Sequence, residues 1–256
     1  MGAPAEWLPP PDEHIYPYWP WSRPVQLLRA AFIELIAQPL TWLLAAPRVR
    51  YSDPSQMEHW EHEPVLIICN HITTYDGPLA LYALPPRLRR HVAIAMSGEM
   101  LLDFRRMRNQ GNFALNLLAP AAYWLLTALY NVFPLPRGRG FRRSFEHAGE
   151  ALDRGYSVMI FPEGTRSLIG RMNAFRPGIG LLAEQSRAAI LPVALVGLYE
   201  YTEAGGEGRR RRRWFHAGNL EVRVGRLVPA ATDATDPAAM TAKLERAVHA
   251  LLEGSA

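Results

Sequence analysis

Residues 64–78 read PVLIICNHITTYDGP, an apolar, β-branched run that turns polar within one residue. Positions 65–69 are too few for a buried helix and suit a strand buried on both faces. Asn70, His71, two threonines, Tyr75 and Asp76 follow, closed by Gly77 and Pro78. The same order recurs at 157–167, where SVMIF runs into PEGTRS. A chain built from such units has few folds open to it. Strands buried on both faces belong to parallel sheets, and parallel strands need long crossovers, usually helical. Ligands in such sheets gather outside the carboxyl ends of the strands, so His71 and Asp76 stand where a site is expected.

The intervening sequence supplies the crossovers. Further strands are expected at 92–96 (VAIAM), as a short extended piece at 131–137, at 189–196 (AILPVALV), and at 221–228, whose alternation suits an exposed or edge strand. Helices are expected at 79–84, ended by Pro85 and Pro86, and at 144–154, with Gly155 as its cap. Another follows Pro177 and Gly178, and a last one starts at Asp236, an N-cap followed by proline, and closes at Gly254. The sum is an α/β fold with a largely parallel central sheet and helices on both faces.

Two apolar segments fall outside this alternation. Residues 25–46 are long enough to span a bilayer but carry Arg29, Glu34 and Gln38, with Pro39 among them. On a helical wheel Gln26, Arg29, Glu34 and Gln38 share one half, and Leu28, Phe32, Leu35 and Ile36 line the other. This suits a helix lying on a membrane, or two short helices bent at Pro39, with a core-packing pair as the alternative. Residues 113–130 are almost wholly apolar around Pro120 and read as a surface-immersed or substrate-covering segment, or as a plain buried helix. Residues 1–24, rich in proline, Trp and Tyr, read as an irregular arm of the kind found at a membrane interface or packed on a core.

Composition narrows the chemistry. The net charge is +4, and every basic residue but Lys243 is arginine, whose planar fork suits phosphate. The single cysteine, Cys69, excludes a disulfide framework and a cysteine-based metal site and is compatible with a reducing compartment. The first 21 residues carry no Lys or Arg and no apolar run, unlike a cleavable signal peptide. An imidazole held by a carboxylate, as His71 and Asp76 would be, can take a proton from a hydroxyl nucleophile. No serine occupies a G-x-S-x-G elbow, so that hydroxyl is expected to belong to the substrate. Glu163, Gly164, Thr165 and Arg166, in a tight turn after a strand, suit an anion, and Arg137 ends another short strand.

Four blocks thus occur in order: N-H-x4-D at 70–76, Arg137 after an extended piece, F-P-E-G-T-R-S at 161–167, and an apolar strand with an internal proline at 190–197. Together they resemble the glycerolipid acyltransferases of the lysophosphatidic acid acyltransferase type. The resemblance implies that His71 is the general base on the acceptor hydroxyl and Asp76 its partner. It implies that Arg137, Glu163, Gly164, Thr165 and Arg166 hold the acceptor, most often 1-acylglycerol-3-phosphate, through its phosphate. Pro192 would belong to the acyl-donor or acyl-chain side. Acyl-CoA or acyl carrier protein would be the co-substrate, with no metal or other cofactor, at the cytoplasmic face of a membrane and on an anionic bilayer surface. Residues 53–256 would then be the acyltransferase domain with its C-terminal helix, and residues 1–52 the aromatic arm and membrane-associating helical segment. Thr73 stands where the family commonly has Ser, and Asn131, Pro134 and Pro136 depart from its second block, which leaves a non-phosphate lipid acceptor open.

Two other signals compete. His59 and His62, flanked by acidic residues, have a metal-like spacing but read as a solvated loop. The arginine run 209–213 and the basic stretch 137–143 suit nucleic acid or anionic headgroups, and the neighbouring apolar segments favour lipid, so no nucleic-acid partner is expected. The competing function is a non-catalytic lipid- or nucleic-acid-binding module.

Overall fold

The structure is a computed structural model that describes residues 13–56, 63–138, 140–167, 171–198, 220–231 and 236–254. Its sheet contains β1 (Arg48–Tyr51), β2 (Leu66–Cys69), β3 (Val92–Ser97), β4 (Val132–Leu135), β5 (Ser157–Ile160), β6 (Ile190–Val196) and β7 (Glu221–Val224), in the order β1-β7-β6-β2-β5-β3-β4. Only β6 and β7 pair antiparallel; the other neighbours run parallel. The fold is the α/β arrangement that the apolar runs imply.

Nine helices are described: α1 (Arg23–Phe32), α2 (Gln38–Ala45), α3 (Asp76–Tyr82), α4 (Pro86–Arg90), α5 (Gly98–Arg105), α6 (Phe113–Tyr130), α7 (Phe141–Asp153), α8 (Gly178–Ser186) and α9 (Pro237–Glu253). The central strand shows why both sheet faces need cover. Leu66 and Ile68 pack on one side with Phe133, Ala148, Leu182 and Leu244, whereas Val65, Ile67 and Cys69 pack on the other with Leu81, Leu84 and Tyr123. Successive side chains of a strand point to opposite faces, and here neither face is left to water.

Three local expectations change. β7 is not an edge strand but lies between β6 and β1. Its alternation survives there because the Glu221 carboxylate takes Arg223 at 2.6 Å and also pairs with Arg50 of β1, so the charged positions are satisfied by one another. β1 itself, Arg-Val-Arg-Tyr, is too short and polar to stand out in sequence, yet it forms the sheet edge and ties residues 48–51 to the domain. Pro85 and Pro86 end α3 but also start α4, where Pro86 occupies the first helical turn and its missing N–H costs nothing.

The N-terminal helices are turned inside out relative to a soluble amphipathic helix. Pro39 has no N–H to donate backward, and the chain accommodates it with a π turn, Ile33–Ala37, between α1 and α2. The polar side of this helix faces the protein. Gln26 donates to Trp21 O at 2.6 Å and to Tyr156 Oη at 2.7 Å, and Glu34 pairs with Arg89 and Arg90 of α4. Arg29, 1% exposed, donates to Pro20 O at 2.6 Å and to Ala128 O in the last turn of α6 at 3.0 Å. Such a contact also places a cation at the negative end of α6. The apolar side faces outward: Leu27 and Leu35 are 72% and 74% exposed, and Ile36, Trp42 and Leu43 are exposed beside them. α6 continues that surface with Phe113, Leu117, Leu118, Trp124 and Leu125, and ring contacts of Trp19 with Trp124 and Phe32 with Tyr130 join the two segments. Arg23–Ala45 and Phe113–Tyr130 are each long and apolar enough to cross a membrane. The His59 and His62 pair and the arginine run 209–213 lie outside the described residues.

Candidate active site

β2 and β5 are adjacent and parallel, so the loops that leave their carboxyl ends meet. The β2 loop folds back on one side chain. Asp76, the first residue of α3 and 1% exposed, accepts from His71 Nδ1 at 2.7 Å, from the backbone N–H of Ile72 at 2.6 Å, from that of Thr73 at 2.9 Å, and from Thr73 Oγ1 at 2.7 Å. A buried carboxylate is costly unless its oxygens are filled, and here four donors fill them. Thr73 Oγ1 also accepts from the Tyr75 N–H at 3.1 Å and closes the turn. With Nδ1 donating to Asp76, Nε2 is the ring nitrogen left for a ligand, and the imidazole is partly open to solvent. Phe161, leaving β5, lies against the ring at 4.7 Å between centroids.

The His71 peptide is gripped on both sides by the β5 loop. Its N–H donates to Glu163 Oε1 at 2.6 Å, and its carbonyl accepts from the Ser167 N–H at 2.8 Å. The other Glu163 oxygen accepts from the Asn173 N–H at 2.7 Å. Burial pushes the Glu163 carboxyl up, against the pull of those two amide hydrogen bonds and of His71. Asn70 fixes the opposite side: its side-chain amide donates to Leu195 O at 3.1 Å and accepts from Leu195 N at 2.7 Å, stitching the end of β2 to β6. Cys69, fully buried, has its thiol pushed well up by desolvation and by Asp76 and Glu163, so it is no nucleophile.

The structure thus brings His71, Asp76 and Glu163 together and assigns Glu163 two backbone amides. Gly164, at φ 69°, allows the turn that follows, and Thr165 and Arg166 are exposed at its rim. Arg137 is exposed just beyond β4, with its N–H on Glu99 Oε1 at 2.9 Å. Pro192 lies apart from this mouth, buried in mid-β6 in register with Ile68, its carbonyl accepting from Gly225 N at 2.9 Å. Among the described residues no group of three or more His, Cys, Asp or Glu side chains is arranged to hold a metal ion.

The acyltransferase family profile matches residues 48–196, β1 through β6. The chain belongs to the acyltransferase family. Over 108 residues it is 31% identical to the chloroplastic 1-acyl-sn-glycerol-3-phosphate acyltransferase LPAT1 of Arabidopsis thaliana, covering 41% of this chain and 29% of that protein. Over 107 residues it is 31% identical to the human 1-acyl-sn-glycerol-3-phosphate acyltransferase alpha, covering 42% of this chain and 35% of the relative. The matched part therefore spans only about a third of the length of these relatives. The solved 1-acyl-sn-glycerophosphate acyltransferase PlsC of Thermotoga maritima has the same fold, with a TM-score of 0.55 at 18% identity over 90% of this chain and 79% of that one.

At this candidate site, sequence reasoning passed over Asn173, Glu99 and Arg176, whose contacts are with backbone groups and leave no motif. If Glu163 serves the backbone, Glu163→Ala leaves two part-buried N–H groups without their carboxylate and lowers stability by about 1–3 kcal/mol. Urea unfolding reads this directly. An unchanged unfolding midpoint with a raised acceptor KM would instead return Glu163 to the substrate.

Proposed function

We propose that the protein is a membrane-associated O-acyltransferase that moves a fatty acyl group from the thioester of acyl-CoA or acyl carrier protein to the hydroxyl of a lysophospholipid, with 1-acylglycerol-3-phosphate as acceptor. The observation that carries this reading is the His71 Nδ1 to Asp76 Oδ2 contact of 2.7 Å within a turn that buries the carboxylate and leaves the imidazole accessible. The family match and the names of the relatives support the reaction class and the acceptor.

In this mechanism the acceptor hydroxyl gives its proton to His71 Nε2 as its oxygen attacks the thioester carbonyl, and Asp76 stabilises the imidazolium. Backbone N–H groups at the mouth stabilise the tetrahedral oxyanion. The C–S bond then breaks, and the departing thiolate takes the proton from Nε2, leaving ester, free thiol and neutral histidine. Arg137 and Arg166 hold the phosphate of the acceptor. General-base catalysis is worth roughly 10²- to 10⁴-fold, so His71→Ala should lose at least about that in kcat while its unfolding midpoint stays put. Near-normal acyl transfer by that variant removes the assignment.

The outward apolar face of α1, α2 and α6 supports seating on a bilayer as a peripheral or monotopic protein. A continuous apolar surface of this extent is unusual on a soluble monomer, and Trp42 and Trp124 are suited to an interface. The cytoplasmic leaflet, where acyl-CoA and acyl carrier protein are found, is the side we assign. Deleting the N-terminus is a poor test, because it also strips Trp21 and Arg29 from the interior. Paired surface substitutions, Leu35→Glu with Leu117→Glu, should abolish sedimentation with anionic vesicles without lowering stability. Undiminished sedimentation would contradict membrane seating through this face.

A further inference from the structure

Arg137 is held in the same manner as His71. The His71 N–H reaches a buried glutamate and its carbonyl is met from the β5 loop; the Arg137 N–H reaches Glu99 at 2.9 Å and its carbonyl is met by Arg176 Nη1 at 2.6 Å. Glu99 is itself braced, accepting from Ser97 Oγ at 2.8 Å through its second oxygen. The β4 and β5 strands are separated by β3, so the loops they feed stand about 10 Å apart. The Arg176 side chain crosses that gap.

Its route runs over Gly164. A Cβ at that position would collide with Arg176 Nε and come within 2.8 Å of Cδ and 3.0 Å of Cζ. Gly164 is therefore needed twice, for its positive φ and for the guanidinium lying on its Cα. The Arg176 backbone is fixed as well, its N–H donating to Pro162 O at 2.9 Å. Of the five N–H donors of a guanidinium, one Nη1 hydrogen is spent on Arg137, and the rest stay on an exposed head.

Charge points the same way. Arg108 and Arg142 are neutralised by Asp103 and Glu146, at 2.8 and 3.0 Å, but among the described residues no carboxylate pairs with Arg137 or Arg176. The Glu99 carboxylate is spent on the Arg137 backbone N–H and on Ser97, so the Arg176 head on the Arg137 carbonyl and the exposed Arg137 side chain are both open to an anion with several oxygens.

We propose that Arg176 is a further binding residue of the acceptor site, laid across Gly164 so that it and Arg137 share one phosphate monoester. This rests on the reading of the protein as a lysophospholipid acyltransferase, and it gives a steric reason for glycine at position 164. The phosphate could be that of the acceptor lipid or one carried by CoA, and we assign it to the acceptor.

Steady-state kinetics on vesicles, varying 1-acylglycerol-3-phosphate and acyl-CoA separately, tests the assignment. Arg176→Ala should raise the acceptor KM about ten- to a hundred-fold, with kcat and the acyl-CoA KM changed less than about threefold. Arg176→Lys, keeping charge but losing the fork, should fall between. Gly164→Ala should raise the acceptor KM more in the wild-type background than in Arg176→Ala, because with the guanidinium already gone only the strain of a positive φ at 164 is left to act. An unchanged acceptor KM, a fall in kcat alone, or a rise confined to the acyl-CoA KM would each overturn the proposal. Absence of wild-type transfer to 1-acylglycerol-3-phosphate would instead defeat the functional reading, and the acceptor role of Arg176 with it.

Discussion

The buried carboxylate of Asp76 is the interaction on which the site depends. It sits at the start of α3, shielded from water, and is kept there by two backbone N–H groups, one hydroxyl and one imidazole. Removing these donors would leave a charge in a low-dielectric site at a cost of several kcal/mol, so the turn and the carboxylate stabilise one another. The imidazole is thereby fixed at Nδ1. Asn70 and Glu163 extend the same logic sideways, binding the end of β2 to β6 and to the β5 loop, so that His71 is held from three neighbouring strands as well as by its own loop.

The rest of the fold sets where this corner faces. Sheet order places the β2 and β5 loops side by side and the β4 loop two strands from β5, and Arg176 bridges the difference. On the outer surface, α1 turns Gln26 and Arg29 inward, α6 buries Ala119 and Tyr123, and both segments with α2 turn leucines and tryptophans outward. Buried polar contacts of Gln26, Arg29 and Glu34 thus add to the apolar burial of Ile33, Ala119 and Tyr123 in docking these helices onto the domain. That inverted arrangement is unfavourable in water and suits a protein whose surroundings on that side are lipid.

Much of this was legible from residues alone, for identifiable reasons. Strands buried on both faces write themselves as unbroken apolar runs, and a His and an Asp five residues apart after such a run have few other geometries open to them. The helix caps at Asp236 and Gly254 were equally plain. β1 was not, because a four-residue edge strand with arginine at two of its positions has no apolar signature. The wheel of residues 25–46 separated the polar and apolar faces correctly, but the pattern cannot say which face meets the protein. Likewise the PEGTR turn marks its glutamate as important without revealing that both oxygens serve backbone amides. Arg176 leaves no trace, since its role arises from a missing Cβ twelve residues earlier.

The central claim is that Asp76 fixes the neutral imidazole of His71 as the Nδ1–H tautomer and so frees Nε2 to accept the proton of the substrate. Nitrogen-15 NMR of the protein labelled in its histidine rings, with His71 assigned by comparison with His71→Ala, measures this directly. The account predicts, for neutral His71, a protonated Nδ1 and an unprotonated Nε2, with the preference lost in Asp76→Ala. A proton found on Nε2 in the wild-type protein would contradict it.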